Sequence, residues 1–378
     1  MSKIIFTAPD NYTSFKCKMG NCRRSCCLGW HVTVSMEEYY RLIGLECSPE
    51  LRRKLDGSVF MLENPTKVRF AEFARNYLGD CPMHGDDGLC MLQCANGEDV
   101  LPSVCRYYPR SPRTLHATEC ALSVSCEGVC ELLMAKKEKL TFVDTPLEFC
   151  YHLPQTVGGF VTEVYRDVRR DVIEILQNRK LSFGSRLLTL IGEAEALNEP
   201  LKAQNREKTR EILEENKISE DGSTAETAKA SAEALDETRY LLRKLTERYP
   251  IDEYANGREE FSAEDYAHMR DRLYENYPAL DTMLEQIMVN HVFYMGFPFG
   301  EERLDFATAC AALVSLFAVW KYALVVKLSE DGNEDHFADL TSEFFRMAEN
   351  SNYDLCAAAL LNESGFLDGE KLRLMCAM

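Results

Sequence analysis

Cys17-Lys18-Met19-Gly20-Asn21-Cys22-Arg23-Arg24-Ser25-Cys26-Cys27 sets four thiols within eleven residues. Only thiolates bind soft metals this densely, and zinc and iron–sulfur clusters both take four-cysteine sets. A segment built on ligation is loop-rich, because metal binding replaces part of a hydrophobic core. Adjacent Cys26 and Cys27 cannot easily point at one metal in regular structure. Either they serve two centres, or one of them is packing. Lys16, Lys18, Arg23 and Arg24 flank the stretch. Cations there lower thiol pKa values and offset the charge of a thiolate-bound centre.

Outward from this stretch, Cys81-Pro82, Cys90, Cys94, Cys105-Arg106-Tyr107-Tyr108-Pro109-Arg110 and Ser125-Cys126 form a second cluster. Loops leave the backbone free to wrap a cofactor. The expected metal ligands are Cys17, Cys22, Cys26, Cys27, Cys81, Cys90, Cys105 and Cys126. Cys47, Cys94, Cys120, Cys130, Cys150, Cys310, Cys356 and Cys376 read as small buried hydrophobes. Spacing does not name the metal. The chain has no Cys-x2-Cys pair, which weakens a zinc-ribbon or ferredoxin reading, and no Cys-x3-Cys-x2-Cys triplet. His31 and His84 lie near the clusters and are candidate ligands, although a lone histidine is more often a solvated polar residue.

Thirteen of the sixteen cysteines fall in residues 1–150, where 18 Lys/Arg balance 19 Asp/Glu. Residues 151–378 hold 25 and 42, and so carry nearly all of the net charge of −18. Both signals predict a cysteine-rich metal or iron–sulfur cluster domain over 1–150, followed by an acidic all-helical domain over 151–378. The acidity argues against wholesale binding to nucleic acid or anionic lipid. Over 251–350, 20 Asp/Glu face 7 Lys/Arg. That surplus reads as solubility or as a docking surface for a lysine-bearing partner. Ile4–Phe6 is far shorter than a signal-peptide core of about 7–15 residues. Phe306 to Trp320 is uncharged for fifteen residues, short of the about 20 that span a bilayer, and reads as a buried core helix. These features predict a cytoplasmic chain with no membrane insertion, where clustered cysteines serve metal or redox chemistry rather than disulfides.

The fold class predicted is mainly α: a loop-rich cysteine-cluster region with little β, then helices. Trp30–Val34 reads as a short strand. Ser35 with Glu38 forms a capping box for a helix over 36–45. Further helices are expected over 66–76 and from Ser125 to Lys139. Beyond residue 155, Phe160, Val161, Val164, Val168, Val172, Ile175 and Leu176 recur at helical steps. Helices follow over 184–197, 235–248, 263–276 (capped by Ser262 and Asp265), 279–295, 303–328, 336–349 and 353–362. Residues 202–234 read as a polar linker. Tyr294, Phe297, Phe299, Phe317 and Trp320 form an aromatic band suited to core packing.

Several blocks together resemble the flagellin lysine N-methylase (FliB) family, within a broader group of zinc- or iron-chelating cysteine-cluster proteins. They are Phe15-Lys16-Cys17 through Gly29-Trp30, Gly79-Asp80-Cys81-Pro82, Gly88-Leu89-Cys90, Leu101-Pro102-Ser103-Val104-Cys105 through Arg110, and Leu122-Ser123-Val124-Ser125-Cys126-Glu127. Glu285-Gln286-x3-Asn290-His291-x-Phe293-Tyr294-x2-Phe297-Pro298-Phe299 is similar to the family's helical part. Where the family usually has proline after Ser-Cys, this chain has Glu127. The resemblance implies a cytoplasmic enzyme that methylates flagellin lysines, with S-adenosylmethionine (SAM) as donor and a cysteine-bound iron–sulfur centre, [4Fe–4S] in type. Zinc is the alternative metal. The alternative reading of the whole chain is a non-catalytic zinc- or iron-binding structural or adaptor protein. A lysine amine of pKa about 10.4 must lose its proton before it can accept a methyl group. Arg106 and Tyr107 are the expected catalytic residues, supplying a cation and a phenol oxygen beside the cluster.

Overall fold

The computed structural model describes residues 3–28, 31–77, 79–149, 159–215, 231–248, 261–300 and 303–378. Its elements in chain order begin with β1 (Ile4–Pro9), β2 (Val32–Val34), α1 (Met36–Ile43), α2 (Pro49–Asp56), β3 (Val59–Met61) and β4 (Ala71–Phe73). There follow α3 (Met91–Asn96), α4 (Ser103–Tyr107), β5 (Arg110–Arg113), β6 (Glu119–Leu122), α5 (Glu127–Met134) and β7 (Phe142–Leu147). The remainder is helical: α6 (Phe160–Leu176), α7 (Phe183–Lys202), α8 (Arg206–Glu215), α9 (Ala232–Arg248) and α10 (Ala263–Asn276). The last five are α11 (Leu280–Met295), α12 (Phe306–Leu328), α13 (Glu334–Glu349), α14 (Tyr353–Ser364) and α15 (Gly369–Met375). The fold is mainly α, as the sequence predicts.

Among the described residues, two small sheets carry the strands. One has the order β5-β6-β1-β7, with β1 parallel to β6 and antiparallel to β7. Both edge strands contain proline (Pro112 and Pro146), which an edge tolerates because its outer N–H groups need no ladder partner. The other sheet runs β2-β4-β3, all antiparallel. The helix expected over 66–76 is absent: Ala71 and Phe73 point into a core while Glu72 between them does not, the period-two pattern of a strand. β4 pairs on both sides, and that pairing overrides its weak helical character.

The capping boxes at Ser35/Glu38 and Ser262/Asp265 are both formed. α1 stops at Ile43, two residues short of the expected limit, with Gly44 as its C-cap. α5 stops at Met134, five residues short of Lys139. Part of the expected linker is structured: α8 buries Thr209 and pairs Arg206 with Glu163 of α6 at 2.6 Å. Residues 216–230 of that segment, Trp30, Cys150 and the predicted helix end at Tyr249-Pro250 lie outside the described residues. α15 went unpredicted because its seven residues are too few to show a period.

Among the described residues, two hydrophobic cores form. The larger runs from Phe6 and Ala8 of β1 through Cys120, Val129 and Leu133 to the C-terminal helices, and so includes residues on both sides of position 150. The smaller gathers Val32, Leu42, Leu55, Phe73, Met83, Leu92 and Leu101. At the centre of the larger core lies α12, opened by Asp305, whose carboxylate accepts the Thr308 N–H at 2.9 Å. It is long and apolar enough to cross a membrane, yet 94% of its most apolar window is buried inside the protein. It is a core helix, and Phe317 and Trp320 within it are fully buried.

Lys321 also lies in α12, 5% exposed, donating to the Tyr274 hydroxyl at 3.1 Å. Burial lowers its pKa from 10.5 to about 8. An amine whose folded pKa is depressed weakens the fold below that pKa, and the penalty fades as pH rises toward the unfolded value. Lys321→Met should therefore raise stability near pH 7 by roughly 3 kcal/mol, at 1.36 kcal/mol per pKa unit. The gain should shrink steadily between pH 8 and 10.5, as read by urea unfolding across that range. A pH-independent difference would show that Lys321 is not a buried cation.

Candidate active site

One cavity of about 830 Å³ is lined by all eight expected cysteines. Five stretches of chain deliver them. The loop after β1 brings Cys17, Cys22, Cys26 and Cys27. Cys81 follows β4, Cys90 is the N-cap of α3, Cys105 lies in α4 and Cys126 is the N-cap of α5. Every described cysteine is a free thiol.

The thiols fall into two neighbourhoods. Cys126 packs against the larger core, and its nearest thiol charges are Cys22 and Cys17. Cys81 and Cys90 pack against the smaller core. Cys81 donates its N–H to the Cys27 carbonyl at 2.8 Å, and Cys105 feels Cys81, Cys27 and Cys90. Cys26 is hydrogen-bonded to Cys27 and feels Cys105 and Cys126, so the adjacent pair stands where the two groups meet. Among the described residues, no three His, Cys, Asp or Glu side chains converge at the distance of a single metal ion.

Burial raises most of these thiols: Cys22 and Cys126 to about 11, Cys81 to about 12, and Cys105 well above its ordinary value. Cys105 keeps accessible surface, but that surface faces the cavity and protein surrounds it. Cys27 moves the other way, to below its ordinary value. Its thiolate accepts from the Cys26 thiol and the Ser25 hydroxyl, with His84 and Arg346 adding positive charge. His84 is bridged by backbone to Cys90, and its buried Nε2 has no hydrogen-bond partner. His31 lines the cavity but is turned toward Glu72, at 3.3 Å.

The flanking cations serve mainly as ties. Lys18 pairs with Glu127 at 2.7 Å and with Glu131 at 2.9 Å. Glu127 is buried and also accepts the backbone N–H groups of Arg23 (3.1 Å) and Arg24 (2.5 Å). Thus Glu127 pins the cysteine loop to the start of α5. Arg23 reaches Asp335 and Asp339 of α13, and Arg24 reaches Glu343. From α13, Arg346 donates to the carbonyls of Arg24 (3.2 Å), Ser25 (3.3 Å), Leu28 (3.2 Å) and Ser125 (3.4 Å).

Of the two expected catalytic residues, Arg106 lines the cavity and pairs with Asp99 at 2.8 Å. Tyr107 is not in the cavity wall, and its ring packs edge-on against Phe149 at 5.0 Å. The neighbouring Tyr108 lines the cavity instead and bonds the Ser125 hydroxyl at 3.1 Å. Burial, then the charge of Cys126, raises its pKa well above the ordinary tyrosine value. Sequence reasoning also missed Arg346 and Glu349, two polar residues on a helix with an otherwise ordinary amphipathic pattern.

The fold and site define a mainly helical protein whose free thiols, some packed against each of two cores, line one cavity. The profile of the FliB lysine N-methylase C-terminal domain matches residues 169–373. The chain belongs to the FliB lysine N-methylase family. It is 26% identical over 130 residues to the lysine-N-methylases of Salmonella typhimurium and Salmonella choleraesuis, covering 34% of this chain and 32% of each relative. The match therefore spans about a third of those relatives' length. The flagellar biosynthetic protein FliU of Salmonella muenchen is 26% identical over 149 residues, covering 38% of this chain and 88% of that protein. No solved structure matches the chain.

Arg346→Met should release four carbonyl contacts at once. Hydrogen bonds from a charged donor are worth about 1.5–3 kcal/mol, so urea unfolding should show a loss of about 2 kcal/mol or more. Limited proteolysis should then cut first within residues 17–28. An unchanged cleavage pattern would show that Glu127 alone holds the loop.

Proposed function

We propose that the chain is a cytoplasmic protein lysine N-methyltransferase acting on flagellin, with SAM as methyl donor and a cysteine-held iron–sulfur centre. The convergence of eight thiols on one cavity carries this reading, together with membership of the FliB family. The names lysine-N-methylase and FliU, borne by similar proteins, point the same way. The residues fit a cluster. A thiol whose pKa is lowered by its hydrogen bonds and an orphaned imidazole nitrogen beside it suit an electrophilic iron centre. Thiols spread around a wide cavity suit a multi-atom cluster better than one zinc ion, which draws four ligands to about 2.3 Å. Its four cysteine ligands would come from Cys17, Cys22, Cys26, Cys27, Cys81, Cys90, Cys105 and Cys126. When bound, it would supply thiolate-ligated iron, Lewis-acidic at any iron left without a thiolate.

About 830 Å³ is the size of a small-molecule site and admits a donor beside a lysine side chain. Arg106 lines the wall, and although Asp99 at 2.8 Å offsets part of its charge, the remainder would favour the neutral amine over ammonium. With Tyr107 packed on Phe149, the wall phenol is that of Tyr108.

Anaerobic purification tests the cofactor. The protein should be brown, with iron and acid-labile sulfide in equal amounts, near four each per chain for one cubane cluster. SAM and unmethylated flagellin should then give methyllysine by mass spectrometry, and Arg106→Ala should slow the reaction. Colourless protein with stoichiometric zinc and no sulfide would overturn the iron–sulfur assignment and favour a structural metal site.

A further inference from the structure

From the cavity wall a continuous line of hydrogen bonds runs inward. The Tyr108 hydroxyl bonds Ser125 Oγ at 3.1 Å. Ser125 Oγ is in hydrogen-bond contact with Ser123 Oγ. Ser123 Oγ donates to Glu349 Oε2 at 2.5 Å, and the Ser125 N–H reaches the same oxygen at 3.4 Å. Glu349 Oε1 faces His291 Nδ1 at 3.1 Å. Ser123, Ser125, Glu349 and His291 are all buried, so this is a carboxylate–imidazole pair deep in the protein, wired by three hydroxyls to the site. Tyr294 of α11 also hydrogen-bonds Ser123.

The bond from Ser123 to Glu349 sets the polarity of the chain. With that hydroxyl proton directed at the carboxylate, Ser123 can accept from Ser125, and Ser125 can accept from Tyr108. Each hydroxyl thus points inward, and the outermost oxygen belongs to a residue of the cavity wall.

We infer that Glu349 and His291 form the proton acceptor for the substrate amine, reached through Tyr108, Ser125 and Ser123. This rests on the lysine methyltransferase reading. A lysine ammonium has no free electron pair, so one proton must leave for each methyl group gained. The ammonium N–H bond breaks as an O–H bond forms on Tyr108. The Tyr108 proton passes to Ser125, that of Ser125 to Ser123, and that of Ser123 to Glu349. Each hydroxyl ends as it began, neutral with one proton, and only the Glu349–His291 pair changes charge. The freed amine then takes the methyl group. Tyr108 is the catalytic residue of this set, and the inner four are positioning residues that act through it.

The test is single-turnover methyl transfer by the full chain, with flagellin and SAM. The variants are Glu349→Gln, Tyr108→Phe and the double variant. Each is assayed on native lysines and on flagellin whose target lysine is replaced by cysteine and aminoethylated. The aminoethylcysteine amine is more acidic and needs less help to lose its proton. General-base losses are about 10²–10⁴-fold. Each single variant should lose that much on lysine and clearly less on the more acidic amine. The double variant should be no slower than the worse single one, because all of these groups serve one path. Equal losses on both substrates, multiplying losses in the double variant, or unaltered rates would overturn the relay. Circular dichroism and iron content verify folding. If Glu349→Gln fails to fold, Tyr108→Phe alone carries the substrate comparison. Wild-type protein inactive on both substrates would instead overturn the methyltransferase reading itself.

Discussion

The guanidinium of Arg346 is the interaction on which the site depends. The loop carrying Cys17 to Cys27 has little regular structure, so its own backbone bonds cannot fix it. Arg346 gathers carbonyls from Arg24, Ser25 and Leu28 on that loop and from Ser125 at the start of α5. One side chain from a late helix thereby sets Cys26 and Cys27 relative to Cys126. Glu127 works on the other face of the same loop, accepting two of its N–H groups and the Lys18 ammonium. Donor clamp and acceptor clamp together satisfy polar groups that an irregular loop leaves open. The cysteine-rich region therefore depends on the helical region for its geometry, and the thiols could not be held this way by residues 1–150 alone.

Charge acquires a second meaning in this light. Much of the acidic surplus of the later helices is solvated, but Asp335, Asp339 and Glu343 turn to Arg23 and Arg24 beside the thiols. Part of the docking surface that the composition suggests is thus filled from within the chain. These pairs are partly exposed, and such pairs contribute little individually. Arrayed along one face of α13, they fix the orientation of the loop more than they stabilise it.

Much of the site was legible in the sequence because thiol density is a local signal. The eight cysteines named from spacing are the eight around the cavity, and the capping boxes at Ser35 and Ser262 formed as read. Tyr107 and Tyr108 could not be told apart, since which of two adjacent tyrosines faces inward depends on a single turn at the end of α4. The strand at Ala71–Phe73 was hidden because three residues show too little alternation without their partners at Val32–Val34 and Val59–Met61. Glu349 and His291 lie 58 residues apart on helices that read as ordinary core elements. No pattern in the chain marks two buried polar residues as neighbours.

Two other buried carboxylates, Glu119 and Glu285, show how this last pair differs from one closed by arginine. Glu119 is closed by Arg169 at 2.7 Å and by Arg113 at 2.8 Å, while Arg113 also caps the carbonyls of Phe293 and Tyr294. Burial raises the Glu119 pKa, but the hydrogen bonds and charge of Arg169, and then those of Arg113, outweigh it and hold the carboxyl below its usual range. Glu285 is closed in the same manner by Arg179 and Arg186, each at 2.8 Å. Guanidinium groups do not give up protons in the working range, so these carboxylates are locked and structural. Glu349 meets an imidazole, which unlike a guanidinium has a nitrogen that can accept as well as donate, and a line of hydroxyls. A carboxylate buried merely to bind helices would be better served by arginine, as two neighbouring examples in this fold demonstrate. Its placement at the inner end of hydroxyls that begin at the cavity wall is what a movable proton requires.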